Sequence, residues 1–339
     1  MQYRTLGRTG IKVSPYALGT LMFATRMGNE PAESTRIIHR ALDAGINFLD
    51  TADAYADSEE VVGKALKGRR DNVVLATKFG LPVGEDPNQR GTSRRWIMKA
   101  VENSLRRLQT DYIDVYQIHR LDPATDFEET LSALTDLIRS GKVRVVGSST
   151  TPASEIVEAQ WVAERRNLER FRTEQPPYSL LNRGIEREVL PVAQRHGMGV
   201  MVWGPLAQGM LTGRVRRNQE NPLIRASFSR HLNDERRIDV VEQLIPLAEK
   251  AGMPLTHLAM AFTIAHPGVT SALVGARTMA HLDDLINGFD ARLGDDLLDQ
   301  IDEIVPPGTD VTALDQDYQP PALQNPHLRR RPAAERAAA

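Results

Sequence analysis

The 339-residue chain contains no cysteine. Disulfides, zinc–thiolate sites, iron–sulfur clusters and thiol nucleophiles are therefore excluded. Aromatic residues make up only 5% of the chain, which leaves few flat surfaces for a large aromatic substrate. No apolar run approaches the ~18–20 residues of a membrane-spanning helix, and the N-terminus MQYRTLGRTG lacks a signal-peptide core. We expect a soluble, cytoplasmic protein without membrane partners.

The numbers of basic and acidic residues are almost equal. The chain carries 42 basic and 44 acidic residues, for a formal net charge of −2. A balanced chain lacks the electrostatic signature of a nucleic-acid-binding protein, so we expect no nucleic-acid partner. The length suits either one large α/β domain or two ordinary ones, and it is compatible with a homo-oligomer.

Short apolar runs alternate with helical patterns along almost the whole chain. We predict eight strands, over residues 15–19, 46–50, 73–78, 112–119, 143–149, 170–175, 198–203 and 269–275. These runs lack strict polar alternation, which is typical of strands covered on both faces. Helical apolar stripes lie between them, and Thr125 and Glu128 have capping-box spacing before one helix. The pattern predicts an α/β fold, a (β/α)₈ TIM barrel.

Three segments fall outside the simple strand–helix repeat. Residues 3–14 predict an N-terminal β-hairpin that plugs the floor of the barrel. Residues 204–233 form a long loop after strand seven, followed by extra helices, and a loop of that length is usually functional. The Pro- and Arg-rich end predicts an extended C-terminal tail over residues 306–339, after a single barrel domain over residues 1–305.

Polar residues stand at the ends of three consecutive predicted strands. Asp50, Lys78 and His119 end the second, third and fourth strands, and Tyr55 lies in the loop after Asp50. Side chains at these ends meet at the catalytic face of a barrel. A strand-end lysine, a core histidine and a turn-forming aspartate are ordinary explanations of each residue alone. Their joint position favours an active site.

The same turn carries two further acids. Asp53 and Asp57 lack support from neighbouring strand ends. We interpret them as solvated turn residues or helix caps.

The four strand-end residues predict proton-transfer chemistry. An ammonium about 4 Å from a phenolate stabilises it by about 4 kcal/mol at an effective dielectric of ~20. Lys78 would thus help Tyr55 to act as a general acid, with Asp50 holding Lys78 and neutral His119 directing a carbonyl oxygen. This set supplies a proton but no electrons, so a carbonyl reduction needs a separate hydride donor.

The familiar signatures of a dinucleotide or metal site are missing. No G-x-G-x-x-G follows a strand, no P-loop occurs, and no H-x-H marks a metal centre, so we predict no metal site. In their place, Trp203 offers a stacking surface, and the glycines of GMLTG (209–213) and VGART (274–278) precede helices, where backbone N–H groups bind phosphate. Arg277 adds a cation for a phosphomonoester.

Four stretches, in this order, resemble the aldo-keto reductase superfamily: INFLDTADAY, ATKFG, SLRRLQTDYIDVYQIHR and WGPLAQGMLTG. The resemblance runs from about Tyr3 to about Val305. It implies a barrel that binds NADPH/NADP+ without a Rossmann fold and reduces a small-molecule carbonyl substrate. By motif, Asp50, Tyr55, Lys78 and His119 match the catalytic tetrad.

The resemblance also implies a cofactor face. Its nicotinamide side comprises Gly19, Thr20, Met22, Ser149, Thr150, Gln175 and Trp203. The pyrophosphate wall comprises Leu206, Gly209, Leu211, Gly213 and Arg214. The 2′-phosphate segment comprises Gly275, Arg277, Thr278 and His281.

The chain departs from the family pattern at a few of these positions. Thr150 replaces the usual Asn, and Ala56 replaces the glycine after the tetrad tyrosine. His281 and Leu285 replace the common adenine-contacting residues, which leaves Arg277 as the main basis for preferring NADPH.

One alternative function remains open, and another is nearly excluded. Barrels of this family also act as NADPH-binding, redox-sensing regulatory subunits attached to a membrane channel. A metal-dependent barrel hydrolase is nearly excluded, because the sequence lacks the His/Asp ligand set that such an enzyme needs.

Overall fold

The computed structural model describes residues 1–27, 30–227, 229–314 and 318–336. The strands are β1 (Arg4–Thr5), β2 (Lys12–Val13), β3 (Tyr16–Gly19), β4 (Phe48–Asp50), β5 (Val74–Phe79), β6 (Ile113–Ile118), β7 (Val143–Ser149), β8 (Thr173–Gln175), β9 (Gly199–Val202) and β10 (Ser271–Val274). The helices are α1 (Pro31–Asp43), α2 (Ser58–Ala65), α3 (Arg94–Leu108), α4 (Phe127–Arg139), α5 (Ala153–Arg166), α6 (Val189–Arg195), α7 (Glu235–Lys250), α8 (Leu255–Ala265), α9 (Met279–Asn287), α10 (Asp295–Ile304) and α11 (Pro321–Gln324).

Strands β3 to β10 form a closed parallel barrel. Each strand pairs with the next in the chain, and β10 pairs with β3 to complete the ring. Successive residues point alternately inwards and outwards. On β6, for example, Val115 belongs to the inner apolar cluster, whereas Tyr116 and Ile118 pack outwards against the helices. The predicted (β/α)₈ fold is confirmed.

The N-terminal hairpin closes the barrel floor. Strands β1 and β2 pair antiparallel, with Arg4 opposite Val13. Leu6 and Val13 are fully buried and pack in one cluster with inward-facing residues such as Phe48 and Met201. The predicted hairpin and its place are therefore confirmed.

Apolar stripes attach the helices to the outside of the barrel. On α3, Ile97 and Val101 are fully buried, and the hydroxyl of Ser93 caps the helix by accepting a hydrogen bond from Trp96 N. The predicted capping box of Thr125 and Glu128 before α4 is wrong. Asp126 is the cap and accepts from Glu129 N at 2.8 Å, because the Thr125 hydroxyl is already bound to Asp122.

The segment after β9 departs from the strand–helix repeat, as predicted. Residues 204–233, of which position 228 lies outside the described residues, contain short 3₁₀ turns, and α7 and α10 are additional to the barrel helices. After α10 the chain crosses back over the barrel. Gly184 N donates to the Asp310 carboxylate at 3.0 Å, and Val311 N donates to Leu181 O at 3.0 Å. The division into a domain over residues 1–305 and a tail over 306–339 stays a prediction, since positions 315–317 and 337–339 lie outside the described residues.

Candidate active site

Neighbouring strand ends bring the predicted acid, amine and imidazole to one mouth of the barrel. Asp50 ends β4, Lys78 lies at the end of β5, and His119 follows the last residue of β6. In the sheet register Asp50 is opposite Ala76, and Lys78 is opposite Gln117, so these side chains face the same interior. The structure thus places the three residues together with Tyr55 at the carboxyl end of the barrel.

Lys78 and Asp50 form a buried ion pair. Their side chains are 1% and 2% exposed, and Lys78 Nζ donates to Asp50 Oδ2. The ammonium also donates to Thr51 O at 3.0 Å, while Gln175 Nε2 donates to Asp50 Oδ1 at 2.9 Å. Removing either partner of such a pair leaves an uncompensated buried charge and typically costs about 3–5 kcal/mol. The pair is held in one geometry by both side chains and main chain.

Tyr55 and His119 face each other across the mouth. Their rings meet edge to face, with centroids 5.5 Å apart at 78°. Lys78 Nζ lies 5.3 Å from the centroid of the Tyr55 ring. The Tyr55 ring therefore lies within about 6 Å of both a buried cation and an imidazole ring.

The His119 imidazole is neutral at physiological pH. Burial lowers its pKa well below the usual range, and the positive charges of Lys78 and Arg120 lower it further. Its Nδ1 is buried without a hydrogen-bond partner among the residues that the structure describes. A neutral imidazole can donate a hydrogen bond from one ring nitrogen to an uncharged acceptor such as a carbonyl oxygen.

Hydrogen bonds join five of the seven residues predicted to face nicotinamide with one another or with Asp50: Thr20, Ser149, Thr150, Gln175 and Trp203. Ser149 Oγ donates to Gln175 O at 2.9 Å, and Trp203 Nε1 donates to Thr150 Oγ1 at 3.1 Å. Thr20 Oγ1 donates to Asp50 O at 3.0 Å. Gly19 and Met22 flank Thr20 on β3 and on the turn that follows it.

The residues predicted to contact the pyrophosphate lie on irregular backbone. Positive φ values occur at Gln208, Gly209 and Gly213, and a Cβ atom at Gly213 would meet no heavy atom within 4 Å among the described residues beyond its two chain neighbours. Leu206 precedes this turn, Leu211 is buried within it, and Arg214 follows it at the surface. Successive N–H groups in such turns form anion-binding concavities.

The segment predicted to hold a 2′-phosphate adjoins this turn. Gly275 follows β10, and the Thr278 hydroxyl caps α9 by accepting from His281 N at 3.2 Å. Partial burial lowers the pKa of His281, and the charges of Arg214 and Arg277 lower it further. The charges of two arginines from separate loops thus both act on His281.

Asp53 and Asp57 differ from each other in the structure. The interpretation of Asp53 as a solvated residue or a cap is wrong, because its side chain is buried and 7% exposed. Asp57 does occupy the cap position of α2, but its carboxylate makes no cap hydrogen bond and instead accepts from Thr25 N at 2.9 Å and from the Thr25 hydroxyl. Asp57 therefore ties the turn to the loop after β3.

Sequence reasoning missed Glu174, which supports the network from behind. Glu174 is fully buried, accepts from Ser148 Oγ at 2.5 Å and accepts from Thr151 N at 3.0 Å. Burial raises its pKa to about 7, although these hydrogen bonds oppose the rise. In the sequence, the only sign of this role is an acidic residue within a short strand. Through these hydrogen bonds Glu174 holds residues 148–151 in place.

Within the described ranges, no group of three or more His, Cys, Asp and Glu residues is arranged to hold a metal ion. None of the helices described is both long and apolar enough to cross a membrane.

Comparison with known proteins connects this geometry to one family. The model of the Aldo/keto reductase family matches residues 16–306. The chain is 39% identical to the uncharacterized oxidoreductase YrpG of Bacillus subtilis, over 90% of this chain and 96% of that protein. It is 37% identical to the aldo-keto reductase YhdN of the same organism, over 84% and 88% of the two chains.

A third relative carries a different description. A probable voltage-gated potassium channel subunit beta of rice (Oryza sativa subsp. japonica) is 34% identical, over 90% of this chain and 97% of that protein. The closed barrel, the family match over residues 16–306 and the identity to these relatives all point to the same family. The chain belongs to the aldo/keto reductase family and is an oxidoreductase.

Proposed function

We propose that the protein is an NADPH-dependent reductase that transfers a hydride to an aldehyde or ketone, with Tyr55 as general acid. The observation that carries this proposal is the buried Lys78–Asp50 pair directly behind the Tyr55 ring. A cation at that place stabilises the phenolate that forms when the proton leaves.

Each of the four residues takes one part of the proton transfer. Asp50, fixed by the Gln175 amide, accepts a hydrogen bond from the Lys78 ammonium and orients it. Tyr55 donates its proton to the carbonyl oxygen as the carbonyl carbon is reduced. Neutral His119 donates a hydrogen bond to the same oxygen and orients it towards the phenol. NADPH, when bound, supplies the hydride.

The chemistry of the cofactor face supports NADPH. Ser149, Thr150 and Gln175 offer hydroxyl and amide groups for a carboxamide, and Trp203 offers a flat ring for nicotinamide. The irregular backbone of residues 207–213 offers N–H groups to a pyrophosphate. Arg277, whose charge acts on His281 together with that of Arg214, suits the additional phosphate that distinguishes NADPH from NADH.

Substrate choice belongs to the loops around the mouth. These are residues 81–92, 121–126 and 204–233, together with the segment after residue 305. The low aromatic content of the chain favours small aldehydes, α-dicarbonyls and keto sugars over large aromatic ketones.

The direct test is NADPH oxidation with a panel of simple aldehydes, α-dicarbonyls, keto sugars and keto steroids. We expect turnover of at least one class, and loss of turnover in Tyr55→Phe without loss of NADPH binding. Binding is measured separately by fluorescence titration of the same variant. Reduction by Tyr55→Phe at the wild-type rate would disprove the assignment of Tyr55.

A second candidate function is that of an NADPH-binding, redox-sensing regulatory subunit. It rests on the relatives described as probable voltage-gated potassium channel subunits beta. Tight NADPH binding with very slow turnover on the whole panel, together with a stoichiometric protein partner on purification from native cells, would favour it. Fast turnover without a partner would favour the reductase.

A further inference from the structure

A second carboxyl group lies buried behind the Lys78–Asp50 pair. The side chain of Asp53 is 7% exposed, and neither of its oxygens has a hydrogen-bond partner among the residues that the structure describes. Its backbone ties it to the same strand end, because Asp53 N donates to Lys78 O at 3.0 Å. Buried carboxylates normally accept hydrogen bonds or pair with a cation, so this arrangement calls for an explanation.

The neighbouring ion pairs leave no cation for Asp53. Lys78 is paired with Asp50. Glu59, fully buried on α2, accepts from Arg107 Nε at 2.7 Å and from Thr77 Oγ1 at 2.6 Å. Each of these two cations therefore already neutralises another acid, and Asp53 is a third carboxyl group beside two balanced pairs.

Groups from four different elements contribute to the electrostatic surroundings of Asp53. Glu59 comes from α2, Arg107 from α3, Lys78 from β5 and Tyr116 from β6, whose buried hydroxyl lacks a hydrogen-bond partner within the described ranges. Burial, and after it the charge of Glu59, raise the pKa of Asp53 to about 8. Arg107, the Ala54 amide and Lys78 act in the opposite direction, although the amide does not reach hydrogen-bond geometry with either oxygen.

We propose that Asp53 is a positioning residue for the reaction: its carboxyl group is protonated at neutral pH, which leaves the positive charge of Lys78 available to Tyr55. This inference rests on the proposed function only for its kinetic part. When Asp53 loses its proton, a second negative charge stands near the ammonium. The Tyr55 phenolate is then less stabilised, and proton donation to the carbonyl slows.

The kinetic test compares Asp53→Asn with the wild type. Asparagine has the shape of the protonated acid but does not ionise. We expect wild-type kcat for carbonyl reduction to fall between pH 7 and pH 9, and the fall in Asp53→Asn to begin at least one pH unit higher. Asp57→Asn is the matched control from the same turn. The pKa of Asp57 is lowered, so this carboxyl group does not titrate between pH 7 and pH 9, and replacing it should leave the shape of the pH profile of kcat unchanged. Superimposable profiles for wild type and Asp53→Asn overturn the proposal.

A second measurement decides the charge state without any activity. The pKa of Asp53 is higher in the folded protein than in the unfolded chain, so the unfolded chain releases this proton at lower pH. The free energy of unfolding therefore falls as the pH rises, and the fall ends near pH 8. The Tm of Asp53→Asn minus that of the wild type should therefore grow from pH 5 to pH 8 and then level off. The same difference for Asp57→Asn should stay constant above pH 5. If the Tm difference for Asp53→Asn does not change with pH, the proposal is overturned. If the Tm difference grows with pH but no carbonyl compound is reduced, only the proposed function is overturned.

Discussion

The indole N–H of Trp203 donates a 3.1 Å hydrogen bond to the hydroxyl oxygen of Thr150. Thr150 has a φ of +54°, a conformation that β-branched residues rarely adopt. Its N–H donates to Gln175 O at 3.1 Å, which holds the strained backbone against β8. The strained residue thus orients the ring that we propose to lie against nicotinamide, in keeping with the concentration of such strain at functional sites.

Replacement of Thr150 by valine should weaken cofactor binding. Valine keeps the branched shape but removes the acceptor for the indole, and a hydrogen bond of this kind contributes about 0.5–1.5 kcal/mol. We expect the Kd for NADPH to rise by about 2- to 10-fold, measured by quenching of intrinsic fluorescence. Thr151→Val is the control, since the hydrogen bond from Trp203 goes to Thr150. Equal dissociation constants for the two variants would contradict the role of this hydrogen bond.

Replacement of Ala56 by glycine should stabilise the protein. Ala56 has a φ of +51°, where a Cβ atom costs about 1–2 kcal/mol that glycine avoids, less its own entropic cost. We expect a gain of roughly 1 kcal/mol, seen as a small rise in Tm by calorimetry. Ala54→Gly in the same turn is the matched control and should give no gain, because positive φ occurs at Ala56 and not at Ala54. A Tm for Ala56→Gly at or below that of Ala54→Gly would refute this explanation.

Replacement of Arg277 by alanine should reduce the preference for NADPH. A charge-assisted contact to a phosphate contributes about 1.5–3 kcal/mol, so we expect NADPH binding to weaken by about 10- to 100-fold while NADH binding changes little. Isothermal titration with both cofactors measures the two constants. Arg216→Ala removes an exposed arginine that is ion-paired with Glu242, and it should leave both constants unchanged. Equal weakening of NADPH and NADH binding in Arg277→Ala would exclude Arg277 from the 2′-phosphate site.

The fold was predictable because its signals are local. Apolar runs of strand length alternate with helical stripes such as Ile97 and Val101, and that period implies parallel strands joined by helices. The strand ends followed directly, so Asp50, Lys78 and His119 were expected at one mouth. Helix starts were harder, because the choice between Thr125 and Asp126 as the cap depended on Asp122, which engages the Thr125 hydroxyl.

Departures from the family pattern became intelligible only in three dimensions. Ala56 and Thr150, which replace the usual glycine and asparagine, both have left-handed backbone conformations. Glycine and asparagine tolerate that conformation better than alanine and threonine do. The two substitutions therefore place side chains on strained backbone, and the Thr150 hydroxyl accepts a hydrogen bond from the Trp203 indole.

The sequence by itself determined the barrel, its hairpin floor and the strand-end residues, since these depend on periodicity and chain order. It could not separate Asp53 from Asp57, two acids four positions apart in one turn. Only the tertiary structure decided between them, because burial depends on what packs over the turn from elsewhere in the chain. Glu59, Arg107 and Tyr116 surround Asp53 in the interior, whereas Asp57 stays near the surface and binds Thr25.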